Sequence, residues 1–171
     1  MSPNKLLRVD GRAPKPTAHR QRLREISIDW LSSLAVWTHA LTVTFRQQDR
    51  NGHRTGQVAM AAAIRHFLRV LAFNTFGPKR TRKGSLTVGA VVVLGFGRNE
   101  NPHAHIALSC PAETSHDQFE QHIKAAMRRT VLFDKQMKIK PYETSGWMGY
   151  IVDHGTECLL PDFLPASATN G

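Results

Sequence analysis

Apolar residues alternate strictly through Trp37-Thr38-His39-Ala40-Leu41-Thr42-Val43-Thr44-Phe45, which predicts a half-buried strand with Trp37, His39, Leu41, Val43 and Phe45 on its inner face. On that face His39 reads as a core or edge histidine, not a metal ligand. A helix from about Thr17 to Ser33 precedes this strand, and a turn at Asp49–Gly52 follows it. From Thr55 to Thr75, Met60, Ile64, Phe67, Leu68 and Leu71 recur at helical spacing, and Gly77-Pro78 supply a stop. The Val-rich stretch Leu86–Phe96 and the run from Asn101 to Leu108 predict an antiparallel hairpin through Gly97–Pro102. Ser115 with Gln118 three residues on is a capping box, opening a helix to about Arg129 with Phe119, Ile123 and Met127 inward and His116 and His122 toward solvent. A short strand at Gln136–Lys140 and a last helix carrying Trp147, Tyr150 and Ile151, ended by Gly155, complete the order β-α-β-β-α-β-α after the leading helix. The expected class is α+β.

Within the second hairpin strand, Ala104, Ile106 and Leu108 form an apolar face, which sets His103, His105, Ala107 and Ser109 on the other, open face. Two imidazoles two residues apart on one face make a candidate metal pair, presented to solvent.

With 171 residues and 41% apolar content, the chain is long enough for one domain with a proper core. Residues 1–16, with three prolines and basic side chains, read as a flexible arm, 17–160 as the folded domain and 161–171 as a tail. No apolar run approaches the roughly 18 residues of a membrane span, and no signal peptide is evident, so a cytoplasmic location away from membranes is expected. Cys110 and Cys158 fit reduced, structural thiols, and without a Cys-x-x-Cys spacing they offer no zinc knuckle. A net charge of +10 and a pI near 10.3 favour a polyanionic partner, with nucleic acid foremost. Basic residues gather at Arg20–Arg24, at Lys79, Arg80, Arg82 and Lys83, and at Arg128, Arg129, Lys135, Lys138 and Lys140. Of these, Lys79, Arg80, Arg82, Lys83, Arg128 and Arg129 are the expected contacts to a DNA backbone, with Trp147 as a base-stacking or anchoring residue. No P-loop motif occurs, which excludes a recognisable ATPase module.

Three stretches, in order and spacing, resemble the HUH endonucleases, which nick and join single-stranded DNA and include rolling-circle replication initiators, relaxases and single-tyrosine transposases. Thr42-Val43-Thr44-Phe45 resembles their first strand motif, His103-Ala104-His105 their histidine pair, and Gly149-Tyr150-Ile151-Val152-Asp153-His154 their tyrosine helix. The resemblance covers about Trp37 to Gly155. It implies an antiparallel sheet with helices mainly on one side, the pair on a central strand and the tyrosine helix nearby. It also implies Mg2+ or Mn2+ at His103 and His105, with Tyr150 attacking a phosphodiester and keeping the 5′ phosphate. Many initiators of the family carry an acid on the preceding strand, where this chain has Gly95. The third ligand is therefore sought four residues after the tyrosine, at His154 as in the transposases, then at Asp153 and Glu100. Single-stranded or hairpin DNA is the implied partner, with a host helicase and polymerase for an initiator and a homodimer for a transposase. Gly97 and the histidine pair also match the opening of the cupin metal motif, but the missing acid and the strong helices exclude an all-β barrel. A binding domain of the same fold that has lost nicking stays open as the non-enzymatic alternative.

Overall fold

The computed structural model describes residues 18–48, 51–82, 87–96, 101–143 and 145–153. Along them run α1 (Ala18–Ser33), β1 (His39–Phe45), α2 (Gln57–Arg82), β2 (Ala90–Phe96), β3 (Pro102–Leu108), α3 (His116–Arg129), β4 (Phe133–Pro141) and α4 (Ser145–Asp153). The expected arm at 1–16, the tail at 161–171 and Gly155 lie outside the described residues.

The strands form one antiparallel sheet in the order β2-β3-β1-β4, so the fold is α+β and β3 is a central strand. From β1 to β4 the chain follows a β-α-β-β-α-β order, in which each helix returns the chain across the sheet. In α3 Ser115 is the N-cap, as the spacing predicts: its hydroxyl accepts from the Gln118 N–H at 3.3 Å, the half of a capping box that the Ser contributes. Gly77, at φ 76°, breaks α2 where a stop is expected, but the helix resumes at once because Pro78 suits a first helical turn.

The helices divide two to each face of the sheet, not mainly on one side. Leu41 and Val43 of β1, Val92 and Leu94 of β2 and Ile106 of β3 meet Ile64 and Phe67 of α2 and Phe119 and Ile123 of α3 in the larger core. On the opposite face Val91, Val93 and Ala107 meet Leu31 of α1 and Met148 and Ile151 of α4 in a second, smaller one. Period-two alternation predicts two faces, but it does not say that both are apolar enough to hold a helix. Trp37 illustrates the difference. It lies just before β1, and its indole N–H donates to the Leu31 carbonyl at 2.9 Å, so it joins the second core and not the face of Leu41. His39 is buried as expected, against Phe119 and His116, whereas His122 is half-buried with its Nδ1 3.4 Å from the Thr75 hydroxyl. Cys110 is a free thiol, and no described helix is long and apolar enough to cross a membrane.

Candidate functional site

On β3 the pleat sets His103 and His105 on the face of the smaller core, with ring centroids 4.9 Å apart. His103 stands opposite Thr44 of β1 and Gly95 of β2, and His105 opposite Thr42 and Val93. The expectation of an open pair fails at His105, which is only 3% exposed, while His103 is half-buried. The cause is α4. Its buried side seats Met148 and Ile151 on the sheet, and Trp147 and Tyr150, three residues apart, meet His105 edge-on at 5.7 and 4.8 Å. Those two rings stack on each other at 5.4 Å with 20° between planes.

Each imidazole is oriented through Nδ1. The Asn101 carbonyl, which can only accept, lies 3.1 Å from His103 Nδ1, so that nitrogen is the donor, and in a neutral ring the lone pair is left on Nε2. Thr42 Oγ1 stands 3.2 Å from His105 Nδ1 and can hold that ring in the same tautomer. Imidazole nitrogens are donors that Mn2+ accepts more readily than the oxygen-preferring Mg2+, but here His105 Nε2 is buried and His103 Nε2 lies over Gly95.

The remaining candidate ligands separate. A Cβ at Gly95 would come 2.8 Å from His103 Nε2, so the imidazole occupies the space that a side chain there would need. Asp153 accepts a two-pronged ion pair from Arg24, with Nε at 2.5 Å and Nη2 at 2.7 Å. His154 and Glu100 lie outside the described residues, among which no group of three or more His, Cys, Asp or Glu could hold a metal ion. Of the two tyrosines, Tyr142 packs against the smaller core, and burial pushes its phenol up, against a smaller opposing effect of Ser32. Tyr150 is 40% exposed and borders the pair.

Tyr150 also borders a groove of about 800 Å3 that runs over β1 and β4, lined by Thr42, Thr44, His105, Trp147, Lys135, Lys138 and Lys140. Lys138 stands directly opposite Thr42 and Lys140 opposite Ala40, so the sheet register brings these cations beside the pair. Of the basic residues expected to hold DNA, Lys79, Arg80, Arg128 and Arg129 are elsewhere. Lys79 and Arg80 end α2, where Arg80 reaches Glu113 at 3.6 Å, and Arg128 and Arg129 end α3. Both helices cover the opposite face of the sheet. Arg82 belongs to the last turn of α2, and Lys83 lies outside the described residues. Among the described residues of that set, Trp147 alone is at the site. The signal for the groove was present in the sequence as Lys138 and Lys140, two apart on a strand, but the face they share with Thr42 depends on pairing.

No family model, curated protein or solved structure matches the chain. The arrangement itself offers a phenol, two oriented imidazoles and a lysine-lined groove on one face of one sheet.

Proposed function

We propose that this protein is a metal-dependent enzyme that nicks and rejoins single-stranded DNA through a covalent 5′-phosphotyrosine, as HUH endonucleases do, and serves as the initiator of a small rolling-circle replicon in the cytoplasm. The observation that carries this reading is the contact of Tyr150 with His105, on the face that also bears His103 and the groove. A DNA strand lies along the groove with phosphates near Lys138 and Lys140, where charge gives affinity without sequence choice. Stacked beside Tyr150, Trp147 offers a π surface to a base at the break.

His103 and His105 would hold the cation, which supplies Lewis-acid polarisation of the scissile phosphate when bound. Tyr150, partly exposed at the groove, passes its proton to water there and attacks phosphorus. The bond from Tyr150 Oη to phosphorus forms, the bond from phosphorus to the 3′ oxygen breaks, and the leaving oxygen takes up a proton as a 3′ hydroxyl. The phosphotyrosine conserves the bond energy, so attack by a 3′ hydroxyl rejoins the strand without a nucleotide cofactor. A host helicase and polymerase would be the partners of such an initiator.

A second reading, a nucleic-acid-binding domain of the same fold without nicking, is favoured by Gly95 and by the engagement of Asp153 with Arg24. A single-tyrosine transposase would share the chemistry of the first. Covalency separates the two readings. Wild type, Tyr150→Phe and Tyr142→Phe are incubated with Mn2+ and single-stranded DNA covering the gene's own flanks, then run on a denaturing gel. The expected result is an adduct with wild type and Tyr142→Phe and none with Tyr150→Phe. Absence of any adduct from folded wild type would leave the binding domain as the better reading.

A further inference from the structure

The helix that carries Tyr150 has little of its own to hold it. At nine residues, with Gly146 and Gly149 inside, α4 is below the length at which isolated helices persist. It lies outside the β-α-β-β-α-β frame, as does α1, and the two helices pack on each other over the same face of the sheet. Their apolar contact, Ile28 and Leu31 of α1 near Met148 and Ile151 of α4, holds α4 down and sets which side faces the sheet, but apolar attraction has no direction and fixes the rotation less sharply than a hydrogen bond does. The Arg24–Asp153 pair does have one. Two parallel N–H···O bonds from a planar guanidinium fix both distance and angle. Arg24 reaches Asp153 across Gly149, where a Cβ would lie 3.0 Å from Nη2, so the guanidinium crosses the backbone immediately before Tyr150. Asp153 in turn lies three residues after Tyr150, adjacent along the helix surface.

We infer that Arg24 and Asp153 are positioning residues: their fork latches α4 to α1 at the rotation that sets Tyr150 against His105. This gives Asp153 a role other than metal ligand. The consequence for catalysis rests on the nucleophile reading above, whereas the placement of the ring does not.

The test uses the full chain with 13C-labelled tyrosine rings. The sequence holds two tyrosines, so Tyr142, in the smaller core, reports folding while Tyr150 reports the latch. In Arg24→Gln and in Asp153→Asn, the Tyr150 ring signals should lose the shift imposed by His105 of β3, while the shift from Trp147, which rides on the same helix, persists, and the double variant should move no further. Tyr142 signals and Mn2+ affinity should stay at wild-type values. Adduct formation on single-stranded DNA should slow about 10- to 100-fold in each single variant, the scale expected of a nucleophile displaced by about an ångström. Gly149→Ala retains both charges and favours the helix, and its methyl, 3.0 Å from Nη2, makes the guanidinium give way slightly, so Tyr150 should move in the same direction but less than in the charge variants; it serves if those fail to fold.

Unmoved Tyr150 signals in Arg24→Gln would overturn the latch, as would additive effects in the double variant. Loss of Mn2+ affinity in Asp153→Asn alone would overturn it in favour of a ligand role. If wild type forms no adduct, the nucleophile reading falls, and the ring signals still decide the latch.

Discussion

The two faces of the sheet are built from alternate residues of the same strands, yet only one of them is closed. Under α2 and α3, Leu41, Val43, Leu94 and Ile106 are wholly buried, and the surface is continuous from β2 to β1. Under α1 and α4 the apolar surface ends partway across. Val91, Val93 and Ala107 are covered, but the β1 and β4 positions beyond them are Thr42, Thr44, Lys138 and Lys140, which line the groove. His105 sits at the border, buried by Trp147 and Tyr150 on one side and facing the groove on the other. Protein interiors tolerate little change of volume, whereas a groove keeps polar side chains in water. The contrast shows how one sheet can carry both a core and a polar groove without either compromising the other.

Neighbouring residues of β3 should divide the two faces most sharply. Ile106→Ala, on the closed face, should cost about 2–5 kcal/mol of stability in urea denaturation, since it leaves a cavity in packed surroundings. His105→Ala, one residue away on the other face, should lose Mn2+ binding with a smaller loss of stability. Equal destabilisation by the two would mean that the second face is core throughout.

Next in size is Gly95→Ala. The added methyl must displace the His103 ring, so Mn2+ affinity by titration should fall about tenfold while the melting temperature stays near that of wild type. Unchanged affinity would place the cation away from His103 Nε2.

The groove is probed by the salt dependence of single-stranded DNA binding. Replacing Lys138 and Lys140 by Ala should reduce the log–log slope by about 1.4, since each phosphate neutralised on a single strand contributes about 0.7. Arg128→Ala with Arg129→Ala, on the opposite face, should leave the rate of adduct formation unchanged. The reverse pattern would move the strand to the α2–α3 side.

The smallest effect concerns His39 in the closed core. Burial first, and the neighbouring His116 second, lower its pKa, and Glu120 opposes them. The unfolded chain takes up a proton near the ordinary value of about 6.5, while the folded ring remains neutral to lower pH. Stability from this residue is therefore intact above about pH 6.5 and declines as the pH falls from there toward the folded value. His39→Gln should flatten that part of a stability profile measured from about pH 7.5 to about pH 5; an unchanged slope would assign it to other groups.

The order of elements, the two-faced character of β1 and β3, the Ser115 cap and the common face of His103 and His105 were all legible in the sequence. They follow from backbone periods of about 2 and 3.6 residues, which are local properties. The lysine groove was half legible: Lys138 and Lys140 show the right spacing, but their place beside Thr42 comes from pairing β4 with β1 and not from β4 itself. What the tertiary structure alone decided is which helices cover which face. Periodicity says that a helix has an apolar side, and says nothing of the surface that side will meet. Hence α1 and α4 share the histidine face, His105 is buried, Trp37 changes sides, and Asp153 answers to Arg24, 129 residues away in the chain, through a contact that exists only once both helices are packed on the same sheet.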